Sequence, residues 1–172
     1  MNRTVIAIDP GNIETGITVI DSKTFKPELA VKMSNRTLIG SEIYNIVADY
    51  DPQCAVIEMV AHYGSGMPAG SEVFDTCVWI GRYIEAMKNE GIPVYTIKRM
   101  QVKLNLCGQA RAKDSNVTQA LVDRFAKGQP NYGKGTSKKK GWFYGFKKDI
   151  WAAYAVGVTA LDLGAEQLEE QL

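Results

Sequence analysis

The 172-residue chain has a single histidine and only three cysteines, and Cys54, Cys77 and Cys107 stand far apart with no CxxC spacing. That pattern indicates neither a disulfide framework nor a cysteine zinc site, so the three read as reduced small hydrophobes. No stretch approaches the roughly 20 continuous apolar residues of a membrane span, and the polar opening "MNRT" is unlike a signal peptide. A cytoplasmic protein is expected. With 45% hydrophobic residues the chain is long enough for one well-buried core and short for two, so one domain over 1–172 is expected.

Acids are also scarce where bases are plentiful. Between Tyr95 and Lys148 there are thirteen Lys/Arg against two acids, Asp114 and Asp123, while the net charge of the whole chain is only +1. A chain polarised in this way is built to meet a polyanion, whereas well-mixed charge would serve solubility alone. The segment at about 127–148, "KGQPNYGKGTSKKKGWFYGFKK", holds seven lysines and no acid, interleaved with Tyr132, Trp142, Phe143, Tyr144 and Phe146. Two readings of it stand side by side. Lysines such as Lys138, Lys139 and Lys140 meet phosphates while aromatics such as Trp142 stack on unpaired bases, or the lysine run is a solvated loop and "GWFYGF" a hydrophobic flap on the domain.

The apolar pattern gives alternating elements. Thr4–Asp9 and Thr15–Asp21 read as strands joined by a loop too short for a helical crossover, hence an antiparallel pair, with a third strand near Glu28–Met33. A helix carrying Leu38, Ile39, Ile43, Ile46 and Val47 follows, then a buried strand "CAVIEMV". After the Gly/Pro-rich "HYGSGMPAGS" comes a helix with Val73, Cys77, Ile80, Ile84 and Met87 on one face, then the strand "IPVYTIK" and two helices, at Asp114–Phe125 and about Lys148–Leu163. The order βββαβαβαα implies an α/β fold, a mixed five-stranded sheet flanked by helices. It is the ribonuclease H-like arrangement.

Along nearly the whole chain, "AIDPG…TG", "AVIEMVA…YG", "GSEVF…CVWIGR", "LCG…AKDSNV" and "KKDIWAAYAVGVTALD" follow one another in an order and spacing that resembles the RuvC family of Holliday junction resolvases, particularly the RuvC-like endonucleases of phages and prophages. "DPG" alone is a weak signal, since sugar kinases and actin-like ATPases open in a similar way. Those proteins need two such domains around a nucleotide, and this chain holds one. The resemblance implies a metal-dependent, structure-selective endonuclease that cuts branched DNA (four-way junctions, forks or flaps) and leaves 5′-phosphate ends. It also implies a homodimer, with the Val73–Met87 helix as candidate interface, working in the cytoplasm of a bacterial or phage-infected cell. The alternative is a non-cleaving branched-DNA-binding protein on the same fold.

The residues support the chemistry separately. Asp9 ends an apolar strand, Glu58 lies within another and Asp149 begins the last helix. If the first and fourth strands are neighbours, these carboxylates gather at one sheet edge, where mutual repulsion calls for divalent cations. Hard oxygen ligands select Mg²⁺ or Mn²⁺, and two ions about 4 Å apart activate a water and stabilise the leaving 3′ oxygen. Each acid also has a plain structural alternative: a turn cap for Asp9, a lysine partner for Glu58, a helix N-cap for Asp149. Pro10, Gly11 and Gly16 are expected to clear the backbone for a phosphate.

Many RuvC proteins carry a second acid or a histidine three residues after the helical aspartate, where this chain has Ala152. Either three carboxylates suffice or a fourth ligand comes from Asp114 or His62. His62 and Tyr63 fall in the loop where the family keeps DNA-wedging aromatics. Lys103 and Lys113 match its functional basic positions, Lys103 as a stabiliser of developing phosphate charge or, alternatively, as an exposed helical lysine.

Overall fold

The structure is a computed structural model and describes residues 4–61, 70–164 and 167–171. Strands β1 (Thr4–Asp9), β2 (Glu14–Asp21) and β3 (Pro27–Ser34) form an antiparallel meander. β4 (Pro52–Met59) pairs parallel with β1, and β5 (Val94–Lys98) parallel with β4. The sheet order is β3-β2-β1-β4-β5-β6, where β6 is the two-residue Glu169–Glu170.

Helices cover both faces. On one lie α1 (Asn35–Thr37), a π-helical turn (Leu38–Glu42), α2 (Ile43–Tyr50) and α3 (Ser71–Asn89); on the other lie α4 (Arg99–Cys107), α5 (Asp114–Phe125) and α6 (Lys148–Leu163). This explains the unbroken apolar run of β1. Val5 and Ala7 enter the core beneath α5 and α6, while Ile6 and Ile8 enter the one beneath α2 and α3. Helix α6 is buried along most of its length and lies close on β1 and β2, because a Cβ on Gly157 would collide with Ile20 and Ala7.

Two elements differ from the sequence expectation. The sheet has a sixth strand, held through Gln171, whose backbone N–H donates to Val94 O at 2.8 Å and whose side-chain amide donates to Thr96 Oγ1 at 3.1 Å. "EE" has no apolar signal by which a strand is read. Helix α4 was absent from the expected order because Met100 and Leu104 are exposed and only Val102 is buried, leaving no amphipathic stripe. No helix among the described residues is long and apolar enough to cross a membrane.

Candidate active site

In the β1–β4 ladder Ile8 is opposite Ile57, and continuing that register by one residue brings Asp9 beside Glu58 at the carboxyl ends of two parallel strands. Both acids share the parity of Ala7 and Val56, so they face the α4–α5–α6 side. Asp149, in the first turn of α6, reaches the same place. A cleft of about 490 Å³ is lined by Asp9, Glu58, Asp149, Asp114, Arg99 and Lys103, with Trp151 and Ala152 in its wall.

The three acids do not have equal surroundings. Arg99 Nη1 lies 3.1 Å from Glu58 Oε1, and its Nη2 lies 2.7 Å from Asp114 Oδ2. Lys32 Nζ lies 2.7 Å from Asp149 Oδ2 and 2.9 Å from Glu14 Oε2. Asp9 has neither an ion-pair partner nor a side-chain hydrogen bond among the described residues. Burial, reinforced by Glu58, pushes its carboxyl up to about 8. Burial also raises Glu58, opposed by Arg99, while the hydrogen bond from Arg99 holds Asp114 below the usual carboxylate range. Among the described residues, no three His, Cys, Asp or Glu side chains are already grouped as an ion-binding cluster.

Local structure explains why the acids meet here. Thr15 Oγ1 donates to Asn35 Oδ1 at 2.7 Å and lies 3.1 Å from Tyr83 Oη, while Asn35 Nδ2 donates to Gly11 O at 2.9 Å. This buried network fixes the turn after Asp9. The glycines have a different task from the one expected of them. A Cβ on Gly11 would strike Glu14 O, and a Cβ on Gly16 would strike the Asp149 carbonyl. Gly16 therefore lets the start of α6 lie on β2 and so positions Asp149. It also faces Lys32 across the β2–β3 ladder, which leaves room for that lysine to reach Asp149.

The other sequence candidates separate. Lys103 is on the cleft wall, 3.6 Å from Asp114 Oδ1 with its side chain only 19% exposed, so it is not a solvated helical lysine. Lys113 precedes α5 and is exposed outside the cleft. His62 and Tyr63 lie outside the described residues. Trp142 is committed to the fold: its ring stacks on Phe125 at 5.1 Å and its indole N–H donates to Tyr154 Oη at 3.0 Å. Phe143 and Phe146 are buried against Trp151, so the flap reading holds for these three aromatics. The lysine run is a tight hairpin, with Thr136 N–H donating to Lys139 O at 2.9 Å and Gly141 N–H to Lys134 O at 3.0 Å. Lys138, Lys139 and Lys140 are exposed at its tip.

Sequence reading missed Lys32 and Arg99. Lys32 had a signal, since a lysine opposite a glycine in an antiparallel pair has a free path across the strand, but that register is visible only once the pairing is known. Arg99 was hidden with α4.

No protein-family model matches the chain, and no curated protein does. Among solved structures it is similar to Thermus thermophilus RuvC, at 18% identity over 98% of this chain and 99% of that one, with a TM-score of 0.70. It is equally similar to T. thermophilus RuvC in complex with a Holliday junction substrate, at 18% identity, the same coverage and a TM-score of 0.71. The chain has the ribonuclease H-like fold of RuvC.

Proposed function

We propose that the cleft is the active site of a metal-dependent endonuclease that resolves Holliday junctions or related branched DNA, of the kind found in phages and prophages. The observation that carries this reading is the meeting of Asp9, Glu58 and Asp149 at one sheet edge, with Asp9 buried beside Glu58 and without a salt-bridge partner among the described residues. A buried carboxylate without a partner is costly, and three hard oxygen donors in one cleft suit Mg²⁺ or Mn²⁺, with two ions expected. Asp9, Glu58 and Asp149 would hold the metal, which would supply water activation and charge neutralisation at the leaving 3′ oxygen.

The chain's own residues do the remaining work. Lys32 and Arg99 orient Asp149 and Glu58 toward the cleft, where these acids would hold the ion. Arg99 and Lys103 then face the cleft as donors for a phosphate. Lys138, Lys139 and Lys140 supply sequence-independent affinity for the DNA backbone.

Two symmetric nicks need two sites, so a homodimer fits the reading. Helix α3 buries Ile80, Tyr83, Ala86 and Met87 against the sheet and leaves Phe74 and Val78 63% and 62% exposed. That outward face is the proposed interface. The ion pairs of Glu58 and Asp149 favour one other reading, a non-cleaving branched-DNA-binding protein in which these acids are structural.

The test is incubation of the purified protein with labelled four-way junction, fork and duplex DNA in Mg²⁺, Mn²⁺ or chelator. Asp9→Asn, Glu58→Gln and Asp149→Asn are each expected to abolish cleavage and leave junction binding largely intact. Binding without cleavage in every metal supports the non-cleaving alternative.

A further inference from the structure

The chain leading into the lysine hairpin has a strained backbone. Asn131 and Tyr132 sit at φ 53° and 56°, in the left-handed region, followed by Gly133 at 70°. For a bulky residue such as Tyr132 this backbone is disfavoured, and glycine would adopt it freely. The ring is 55% exposed. The strain is imposed by the surroundings. Gly133 is pinned against Ala126, Gly133 N–H donates to Pro130 O at 3.1 Å and Gly133 O accepts from Phe143 N–H at 3.1 Å.

A second aromatic of the segment is also exposed. Tyr144 follows Phe143, is 40% exposed, and carries Lys140 Nζ 5.0 Å from its ring centroid. Of the five aromatics in the segment, Trp142, Phe143 and Phe146 are turned into the fold, and Tyr132 and Tyr144 are left at the surface, Tyr144 against Lys140. The position is tied to the cleft, since Phe143 and Phe146 lie 4.5 Å and 4.9 Å from the ring of Trp151, a cleft-wall residue, and the hairpin runs directly into Lys148 and Asp149.

We propose that Tyr132 and Tyr144 are the base-stacking residues of this hairpin, and that it receives an unpaired DNA strand next to the branch, with Lys138, Lys139 and Lys140 on its phosphates. This rests on the reading of the cleft as a branched-DNA nuclease. An exposed aromatic ring accepts the face of any base, and lysines among such rings neutralise the backbone between stacked bases. A duplex offers the lysines the same phosphates but keeps its base faces covered. The pair of tyrosines therefore discriminates unpaired from paired DNA.

The test is binding of the full chain, in chelator, to linear duplex, to a fork with two unpaired arms and to single-stranded DNA. Tyr132→Ala and Tyr144→Ala are expected to weaken binding to the fork and single strand by about 5- to 100-fold, the range of one lost base stack, with duplex affinity unchanged. The Phe variants should retain wild-type affinity. Tyr132→Gly should keep or raise the melting temperature while losing the fork preference, which separates function from folding. Equal loss on all three DNAs, or no loss on any, overturns the inference while leaving the nuclease reading in place. Failure of the wild-type protein to bind or cut branched DNA at all removes both.

Discussion

Arg99 Nη2 lies 2.7 Å from Asp114 Oδ2, and the other arm of the same guanidinium holds Glu58. Asp114 is thus occupied as a counter-ion, with Lys103 also near it, and its side chain is 70% exposed at the cleft rim. At that exposed rim position Asp114 serves as an anchor for Arg99.

Asp114→Asn is accordingly expected to lower cleavage by no more than about fivefold, the equivalent of about 1 kcal/mol for an exposed ion pair. Metal affinity, read by titrating Mn²⁺ against activity and by calorimetry, should stay within about threefold of wild type, since a metal ligand would cost more. Abolition of both identifies Asp114 as a ligand instead.

The pH dependence of stability follows from Asp9. Its folded-state value of about 8 lies above the ordinary carboxylate value of 3.8, so between these pH values the folded metal-free chain retains a proton that the unfolded chain has released. Stability without metal therefore falls as pH rises through that window. Asp9→Asn removes this cost. In chelator its melting temperature should match wild type near pH 4 and exceed it at pH 8 by at least about 2–4 °C, the shift given by about 1 kcal/mol in a chain of this size. Parallel melting curves for the two proteins across the range would show that Asp9 is not perturbed.

Gly16 gives a geometric prediction. An added Cβ meets the carbonyl of Asp149, a backbone atom that cannot rotate away, so Gly16→Ala must move the start of α6. Displacement of a ligand by about 1 Å costs on the order of 100-fold in rate. Cleavage should fall by that order while far-UV circular dichroism and DNA binding persist. Wild-type activity would mean that the position of Asp149 does not matter to the reaction.

Replacing Lys138, Lys139 and Lys140 together by Gln should weaken binding to every DNA and reduce the salt-dependence slope by about two to three units, each phosphate contact contributing roughly 0.9. These lysines make no ion pair among the described residues, so the melting temperature should change by less than about 2 °C. An unchanged slope would leave the hairpin without a role in DNA binding.

The sequence carried the strand meander and the ranges of α5 and α6, because each has a run or stripe of apolar residues that only one periodicity fits. Asp9, Glu58 and Asp149 stood out for the same reason: an acid within or at the end of a buried element contradicts its neighbours. Arg99 and Lys32 did not, since basic residues on a short helix and on a half-buried strand are ordinary, and only the three-dimensional pairing gives them partners. Gly16 was noticed but misread. The backbone it clears space for belongs to α6, more than 130 residues away in the chain. Trp142 stood between two readings because interleaved lysines and aromatics look alike whether the rings face DNA or the core.

Ala152 remains the clearest departure from the resemblance, and the cleft gives it a definite consequence. It lies in the cleft wall one helical turn after Asp149 and on roughly the same face. With Asp149 paired to Lys32 and no acid at 152, a second ion has few protein oxygens to bind, so metal affinity should be low and Mn²⁺ should support more activity than Mg²⁺, which is the slower of the two to give up its waters. Ala152→Asp adds a carboxylate within reach of an ion shared with Asp149. It should raise metal affinity by about tenfold, the lower bound for gaining a ligand-class contact. In chelator the same variant should melt below wild type, because the new charge stands beside Asp149 in a partly desolvated cleft, and Mn²⁺ should restore the difference. Metal-independent destabilisation with no gain in affinity would show that residue 152 does not face the ion, and the three-carboxylate site would then lose its simplest explanation for how it manages without a fourth ligand.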